Sequence, residues 1–231
     1  MALVIDRMIR RAVPRLALLA VVWGTLTGGV FSGCRGLFAP AIPEPPTGPP
    51  LRLDYTTPEA ALVTMRLGIE AKGQGSQAWL GAFADPTRGD SVEYHQVFDP
   101  ADLSFYEGSC QCQVAADWRL PQEREFYSYF LNVRQRDEYT AAFDSVDTDA
   151  DLPPIDNKAV RYRHYTVQAT DPDTRSTLII AIGFARLTFT EVETNRWVIS
   201  RWEDYVDPDI GVNPSDGFQV TLGRSRMKAT R

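Results

Sequence analysis

The stretches TLIIAIGFARLTFTEV (Thr177–Val192) and RWVISRWEDY (Arg196–Tyr205) carry the strongest strand signal of the chain. Both are rich in β-branched and aromatic residues, which fit the pleated surface of a sheet. Only a short turn at Thr194-Asn195 separates them, so they are expected to be antiparallel neighbours. Gly183 interrupts the first stretch and predicts a bulge or a sharp bend there.

Helical patterns precede these strands. Thr57-Pro58-Glu59 is typical of a helix start, because it offers an N-cap hydroxyl, a proline in the first turn and an acid near the helix N-terminus. A second helix is expected after Ser76, and a third over Leu120–Val133. Weaker patterns predict, in chain order, a strand over Ser91–Phe98, a helical turn at Asp99-Pro100 and a strand over Tyr139–Val146. A stronger pattern predicts a strand over Val160–Thr170.

Early helices followed by late antiparallel strands predict an α+β fold over residues 51–206, with helices on one face of a curved sheet. The segments Thr57–Leu62 and Arg196–Asp204 resemble the opening and closing segments of the nuclear-transport-factor-2-like superfamily, which includes ketosteroid-isomerase-like and SnoaL-like domains. This resemblance implies a conical fold with N-terminal helices packed on a strongly bent antiparallel sheet. It also implies a pocket between the two layers and frequent homodimers through the sheet. It does not imply a reaction.

Composition excludes several classes of function. The chain has 231 residues, 44% of them hydrophobic and 23% charged, which is ordinary for a globular protein. Its net charge of −6 argues against nucleic-acid binding, which needs a basic face. With two His and three Cys, and no G-x-S-x-G, H-E-x-x-H or Walker A motif, we expect no metal and no cofactor.

The first 33 residues have the pattern of an export signal. Four arginines between Arg7 and Arg15 precede an apolar run over Leu16–Phe31. That run has 16 residues, fewer than the roughly 20 that a spanning helix needs. A permanent membrane helix is the alternative interpretation.

The apolar run ends in Phe31-Ser32-Gly33-Cys34, which resembles the lipobox of bacterial lipoproteins. That resemblance implies cleavage before Cys34, which becomes the new N-terminus and is acylated with palmitate-type chains, although Phe31 stands where an aliphatic residue is usual. The alternative is an ordinary signal with an unmodified cysteine nearby. Cleavage leaves 20 Lys+Arg against 29 Asp+Glu, a net charge of −9. Anionic headgroups repel so acidic a body, so the lipid has to hold it on the membrane.

A stalk and a tail flank the expected domain. Residues 34–50 follow the cleavage site, and six of the 16 residues after Cys34 are proline, which favours an extended polyproline II segment of about 50 Å. A PxxP ligand for a partner domain is the alternative function of this segment.

Residues 207–231 form a tail that becomes basic towards its end and is expected either to fold back on the acidic body or to stay mobile.

Candidate site residues come from the strands and helices. On Val160–Gln168, one alternating set contains Tyr162 and His164 and resembles a polar pocket wall, with His164 a candidate base. A single strand does not reveal which of its faces is inward, and a packed or surface histidine is the plainer alternative. In ketosteroid-isomerase-like members a buried carboxylate is the base, and a tyrosine or a second acid polarises the carbonyl. Here Asp204 would be that base, unless it merely caps a turn or pairs with Arg201. The candidate ligand-binding residues are therefore Tyr94, Tyr129, Tyr162 and His164.

The chain has two cysteines besides Cys34. Cys110-Gln111-Cys112 in an exported protein is expected to form a disulfide, with free thiols or a metal or redox role as alternatives.

The sequence thus predicts a membrane-anchored lipoprotein of the bacterial cell envelope, on its periplasmic or cell-surface side. Its domain is expected to bind a small molecule or an envelope protein without catalysis, and to form homodimers if it follows its family. The alternative is a pocket enzyme of the isomerase, dehydratase or hydrolase type that uses Asp204 or His164 as its base.

Overall fold

A computed structural model describes residues 51–110, 117–146, 149–206 and 220–229. Predictions for the signal, the stalk, Cys34 and Cys112 lie outside these residues, as does the side chain of Cys110. The helices are α1 (Pro58–Glu70), α2 (Ser76–Gly81), α3 (Pro100–Cys110), α4 (Leu120–Asn132) and α5 (Leu222–Ala229). The strands are β1 (His95–Val97), β2 (Glu138–Ser145), β3 (Leu152–Ile155), β4 (Lys158–Thr170), β5 (Thr177–Glu193) and β6 (Arg196–Tyr205).

The strands form one sheet in the order β1-β6-β5-β4-β2, and β3 pairs with the start of β4. All of these pairs are antiparallel except β1 with β6. The predicted irregularity in β5 is real but is not at Gly183. Val167 pairs with Ala181 and Gln168 with Ile179, so Ile180 is the extra residue of the bulge.

The predicted helix starts are confirmed where capping is strong. Thr57 caps α1 by accepting a hydrogen bond from the Ala60 amide at 3.0 Å. The segment after Asp99 is a helix of 11 residues, and not the short turn expected from the sequence. The Asp99 carboxylate accepts from the Ala101 amide at 2.6 Å and so begins this helix. The helix was missed because its apolar residues do not follow a clear helical period.

Large aromatic side chains fill the space between the helices and the concave face of the sheet, which we call the cone interior. Trp79 of α2 packs edge-on against Phe83 with ring centroids 5.3 Å apart, and Trp202 of β6 lies 6.3 Å from Trp79. Aromatic pairs at such distances add to the free energy of burial. The fully buried aromatic side chains include Trp79, Phe83, Tyr94, Trp118, Phe126, Tyr165, Phe189 and Trp202.

The prediction of an α+β fold with helices on one face of a bent antiparallel sheet is confirmed. Within the described ranges, none of the helices has the length and apolarity needed to cross a bilayer.

Candidate functional site

The concave face of the sheet is shaped by small residues in β5. Its inward positions Ala181, Gly183 and Ala185 have little or no side chain, so the strand forms a shallow trough between β4 and β6. The Tyr165 ring of β4 lies across this trough. A Cβ atom on Gly183 would be 2.5 Å from the Tyr165 hydroxyl, so only glycine permits this position.

The Tyr165 hydroxyl reaches the candidate base. It donates a hydrogen bond to Asp204 Oδ1 at 2.6 Å and accepts one from the Leu222 amide at 2.9 Å. Asp204 is 1% exposed. The Asp204 carboxylate therefore lies in the cone interior and is bound by a tyrosine hydroxyl, that of Tyr165, which was not among the candidates.

Helix α5 places the guanidinium of Arg226 beside Asp204. The fully buried Arg226 guanidinium donates from Nε to Glu123 Oε2 at 2.8 Å and from Nη2 to Glu123 Oε1 at 3.0 Å. Its Nη1 lies 3.6 Å from Asp204 Oδ2. The guanidinium carbon is 4.4 Å from the centroid of the Trp202 ring and 5.1 Å from that of Phe126. Arg226 is thus enclosed by two carboxylates and two aromatic rings.

Burial dominates the electrostatics of this cluster. It raises the pKa of Asp204 to about 7, against the opposing effects of Arg226 and the Tyr165 hydrogen bond. Burial also raises the pKa of Tyr165 well above its ordinary value, and the neighbouring Asp204 adds to the increase. A carboxyl that titrates near neutral pH is suited to general acid–base work. Here the guanidinium of Arg226 lies beside that carboxyl, with Nη1 3.6 Å from Asp204 Oδ2.

Further contacts hold α5 against α3. Arg224 forms an ion pair with the buried Asp102 carboxylate, and the Thr221 hydroxyl donates to the same group at 2.5 Å. The Tyr106 hydroxyl donates to the Met227 carbonyl at 2.7 Å. Helix α5, the described helix of the predicted tail, is therefore packed against the rest of the domain.

The candidate residues are not brought together. Tyr94 is buried beside the cluster and donates to Gln96 Oε1 at 2.8 Å. Tyr162 and His164 lie on the opposite face of the sheet, where both rings contact Phe184 at centroid distances of 6.2 and 5.7 Å.

The expectation that Tyr162 and His164 line the pocket is corrected by the burial pattern of β4. The alternate set containing Arg161, Arg163 and Tyr165 faces inward instead. Arginines are tolerated there because Arg161 pairs with Glu59 at 2.6 Å and Arg163 with Asp151 at 2.7 Å. Both partners lie outside β4, Glu59 at a distance of 102 residues and Asp151 at a distance of 12, so the strand alone does not reveal them.

Asp204 likewise does not pair with Arg201. The guanidinium of Arg201 is half exposed and binds the neighbouring Glu203 at 2.7 Å. Adjacent residues of a strand point to opposite faces of the sheet, so Glu203 is available to Arg201 whereas Asp204 faces the cone interior.

Sequence reasoning also missed Glu123 and Arg226. The sequence does contain an indication that Arg226 lies on a packed helix face. Leu222 and Arg226 are four residues apart, which places them on one face of a helix, and the small residues Gly223 and Ser225 permit close packing. The tail was not considered as a helix because its composition is basic and polar.

An open groove lies between α4, the start of β5 and α5. Its volume is about 250 Å³, and Tyr129, one of the candidates, is part of its wall. The charged side chains among its lining residues, Arg134 and Lys228, are both cationic. The other lining residues are Phe130, Val133, Tyr139, Leu178, Ile179, Ile180, Val220 and Ser225.

No cluster of three or more His, Cys, Asp or Glu side chains suited to a metal ion occurs among the residues that the structure describes. The predicted Cys110–Cys112 disulfide lies outside these residues and stays a prediction.

No protein-family profile and no curated protein matches this chain. Several solved structures are similar to this chain. One is a protein of unknown function from Mycobacterium tuberculosis, which is 13% identical and has a TM-score of 0.44. That match covers 74% of this chain and 82% of the other protein. The protein Aln2 from a Streptomyces species is 11% identical with a TM-score of 0.45, over 69% of this chain and 97% of its own. A ketosteroid isomerase-like protein from Erwinia carotovora atroseptica is 13% identical with a TM-score of 0.39, over 63% and 90%.

Proposed function

We propose that this chain is an exported lipoprotein, attached to a membrane of the cell envelope through Cys34, and that its domain is a non-catalytic member of the nuclear-transport-factor-2-like superfamily. The domain binds an amphipathic small molecule in the groove between α4, β5 and α5. The observation that carries this proposal is the groove itself, whose apolar walls are open to solvent and whose charged lining residues are basic.

The exposed apolar side chains support a ligand with a hydrocarbon part. Tyr129 is 42% exposed, Val133 59% and Ile179 40%, and all three line the groove. Exposed apolar residues that cluster in a concave surface are typical of binding sites. An acyl chain or a similar apolar group would cover them.

The charges support an anionic head group on that ligand. Lys228 and Arg134 are at the groove in a protein whose net charge is −6. Arg134 also binds Asp137 at 2.9 Å, which orients its guanidinium. A carboxylate or phosphate on the ligand would be attracted by both cations.

The burial of Asp204 supports a role without catalysis. This carboxyl is 1% exposed, and the Arg226 guanidinium lies 3.6 Å from it. A general base must come within hydrogen-bond reach of the proton it removes. The enclosure of Asp204 therefore favours ligand binding in the groove over proton transfer in the cone interior.

The test is the binding of dodecanoate to the purified full-length chain by isothermal titration calorimetry. We expect Ile179→Asp to weaken dodecanoate binding at least tenfold, because it places a carboxylate on the apolar wall. Lys228→Glu should weaken dodecanoate more than dodecanol, since only the first ligand is charged.

The matched control is Ile155→Asp, because Ile155 is 66% exposed on β3 and does not line the groove. It should leave dodecanoate binding unchanged. Failure of the wild-type chain to bind dodecanoate, or equal weakening by Ile155→Asp and Ile179→Asp, would contradict the groove as the binding site.

A further inference from the structure

The cone interior holds Arg226 as a receptor holds a ligand. The guanidinium makes a two-point contact with a single carboxylate, since Nε and Nη2 donate to the two oxygens of Glu123 at 2.8 and 3.0 Å. This parallel pair of hydrogen bonds matches the planar fork of a guanidinium, which an ammonium group lacks.

Two aromatic rings complete the enclosure. The Trp202 and Phe126 centroids lie 4.4 and 5.1 Å from the guanidinium carbon, within the range of cation–π attraction. The Trp118 indole donates to Glu123 Oε2 at 3.1 Å and so orients the carboxylate. These groups come from α4, β6 and the segment before α4, and none comes from α5.

Arg226 does not satisfy every polar atom around it. Its Nη1 atom and the Asp204 Oδ2 atom are both buried without a hydrogen-bond partner among the described residues, although they lie only 3.6 Å apart. Unsatisfied buried polar atoms are costly. The two atoms are thus at ion-pair distance but make no hydrogen bond to each other.

We infer that the cone interior is a binding site for guanidinium cations, and that the chain fills it with its own Arg226. The receptor groups are Glu123, Asp204, Trp202 and Phe126. The site is distinct from the groove of the proposed function and does not depend on it. A free alkylguanidinium takes the place of the Arg226 side chain when that side chain is removed.

The test is chemical rescue of Arg226→Ala in the full-length chain. Ethylguanidinium should raise the melting temperature of this variant, and ethylammonium at equal concentration should not, because it cannot bridge both Glu123 oxygens. Ligand at ten times its Kd shifts the folding equilibrium about elevenfold, which corresponds to an increase of about 3 °C in Tm.

The matched control is Arg136→Ala, which removes an exposed arginine after α4 and leaves the cone interior filled. Its Tm should not respond to ethylguanidinium. The double variant Glu123→Gln/Arg226→Ala should lose the rescue, because the carboxylate that accepts both hydrogen bonds is gone.

If Arg226→Ala is unfolded without ligand, the same comparison is made on refolding, measured by near-UV circular dichroism. Recovery with ethylguanidinium and not with ethylammonium supports the site. Equal effects of the two cations, a rescue that survives Glu123→Gln, or no recovery with either cation overturns it.

Discussion

Asp204 shows how one buried carboxyl couples the stability of this protein to pH. The cluster around it contains one guanidinium, Arg226, and a second carboxylate, Glu123, which binds that guanidinium directly. Burial is the main cause of the raised pKa of Asp204, about 7 instead of the ordinary 3.8, because an ionised carboxylate loses its hydration there. The Arg226 guanidinium and the Tyr165 hydrogen bond act against this increase.

The sign of the pH dependence follows from proton binding. Between about pH 4 and pH 7 the folded chain keeps a proton on Asp204 that the unfolded chain has lost. The free energy of unfolding should therefore fall as pH rises through this window, by at most about 4 kcal/mol. Asp102 of α3, whose pKa is also raised by burial, acts in the same direction.

Asp204→Asn should flatten this part of the stability profile, because the amide carries no charge at any pH. Urea unfolding at half-unit steps from pH 4 to pH 8 measures the slope. Asp173→Asn, in the exposed turn between β4 and β5, is the control and should keep the wild-type slope. An unchanged slope in Asp204→Asn would show that another group dominates the window.

At the scale of elements, β5 and α5 depend on each other. The small inward residues of β5 leave room for the Tyr165 ring. The Tyr165 hydroxyl in turn accepts a hydrogen bond from the amide of Leu222 at the start of α5. A strand with larger inward residues would displace that ring, and α5 would lose a contact at its first residue.

Gly183→Ala tests this coupling between the elements. The new Cβ would meet the Tyr165 hydroxyl at 2.5 Å and the Tyr165 Cζ at 2.8 Å, so the ring must move away from Asp204. We expect a loss of about 1–3 kcal/mol in the free energy of unfolding, measured with urea.

Gly108→Ala is the matched control for that change. A Cβ on Gly108 of α3 would meet nothing within 4 Å. Alanine there should stabilise the helix by up to about 1 kcal/mol. Equal effects of the two substitutions would contradict the close approach of Tyr165 to β5.

At the scale of the whole molecule, the proposed lipid has to overcome the charge of the body. The chain after Cys34 carries a net charge of −9 and is repelled by anionic headgroups. Each buried methylene of an acyl chain contributes about 0.8 kcal/mol, so more than one chain is needed for stable attachment.

Cys34→Ala should abolish incorporation of radiolabelled palmitate and move the chain from the membrane fraction to the soluble one. Both are measured by fractionation of expressing cells. Cys110→Ala should leave the label in place. Label retained in Cys34→Ala would contradict acylation at this residue.

Much of the fold was predictable because it depends on local patterns. The cap at Thr57, the helix over Leu120–Asn132 and the long strands β4, β5 and β6 follow from periodicity and turn chemistry. Helix α3 was missed because neither its apolar period nor its composition distinguishes it from a turn.

The sequence by itself determined the α+β class, the order of the main elements and the candidate carboxylate at Asp204. Only the tertiary structure decided which face of β4 is inward, because the ion pairs that bury Arg161 and Arg163 are made with residues outside the strand, one of them 102 positions away. It also decided what occupies the cone interior. Arg226 and Glu123 are 103 positions apart, and a contact across that distance leaves no periodic trace in the sequence.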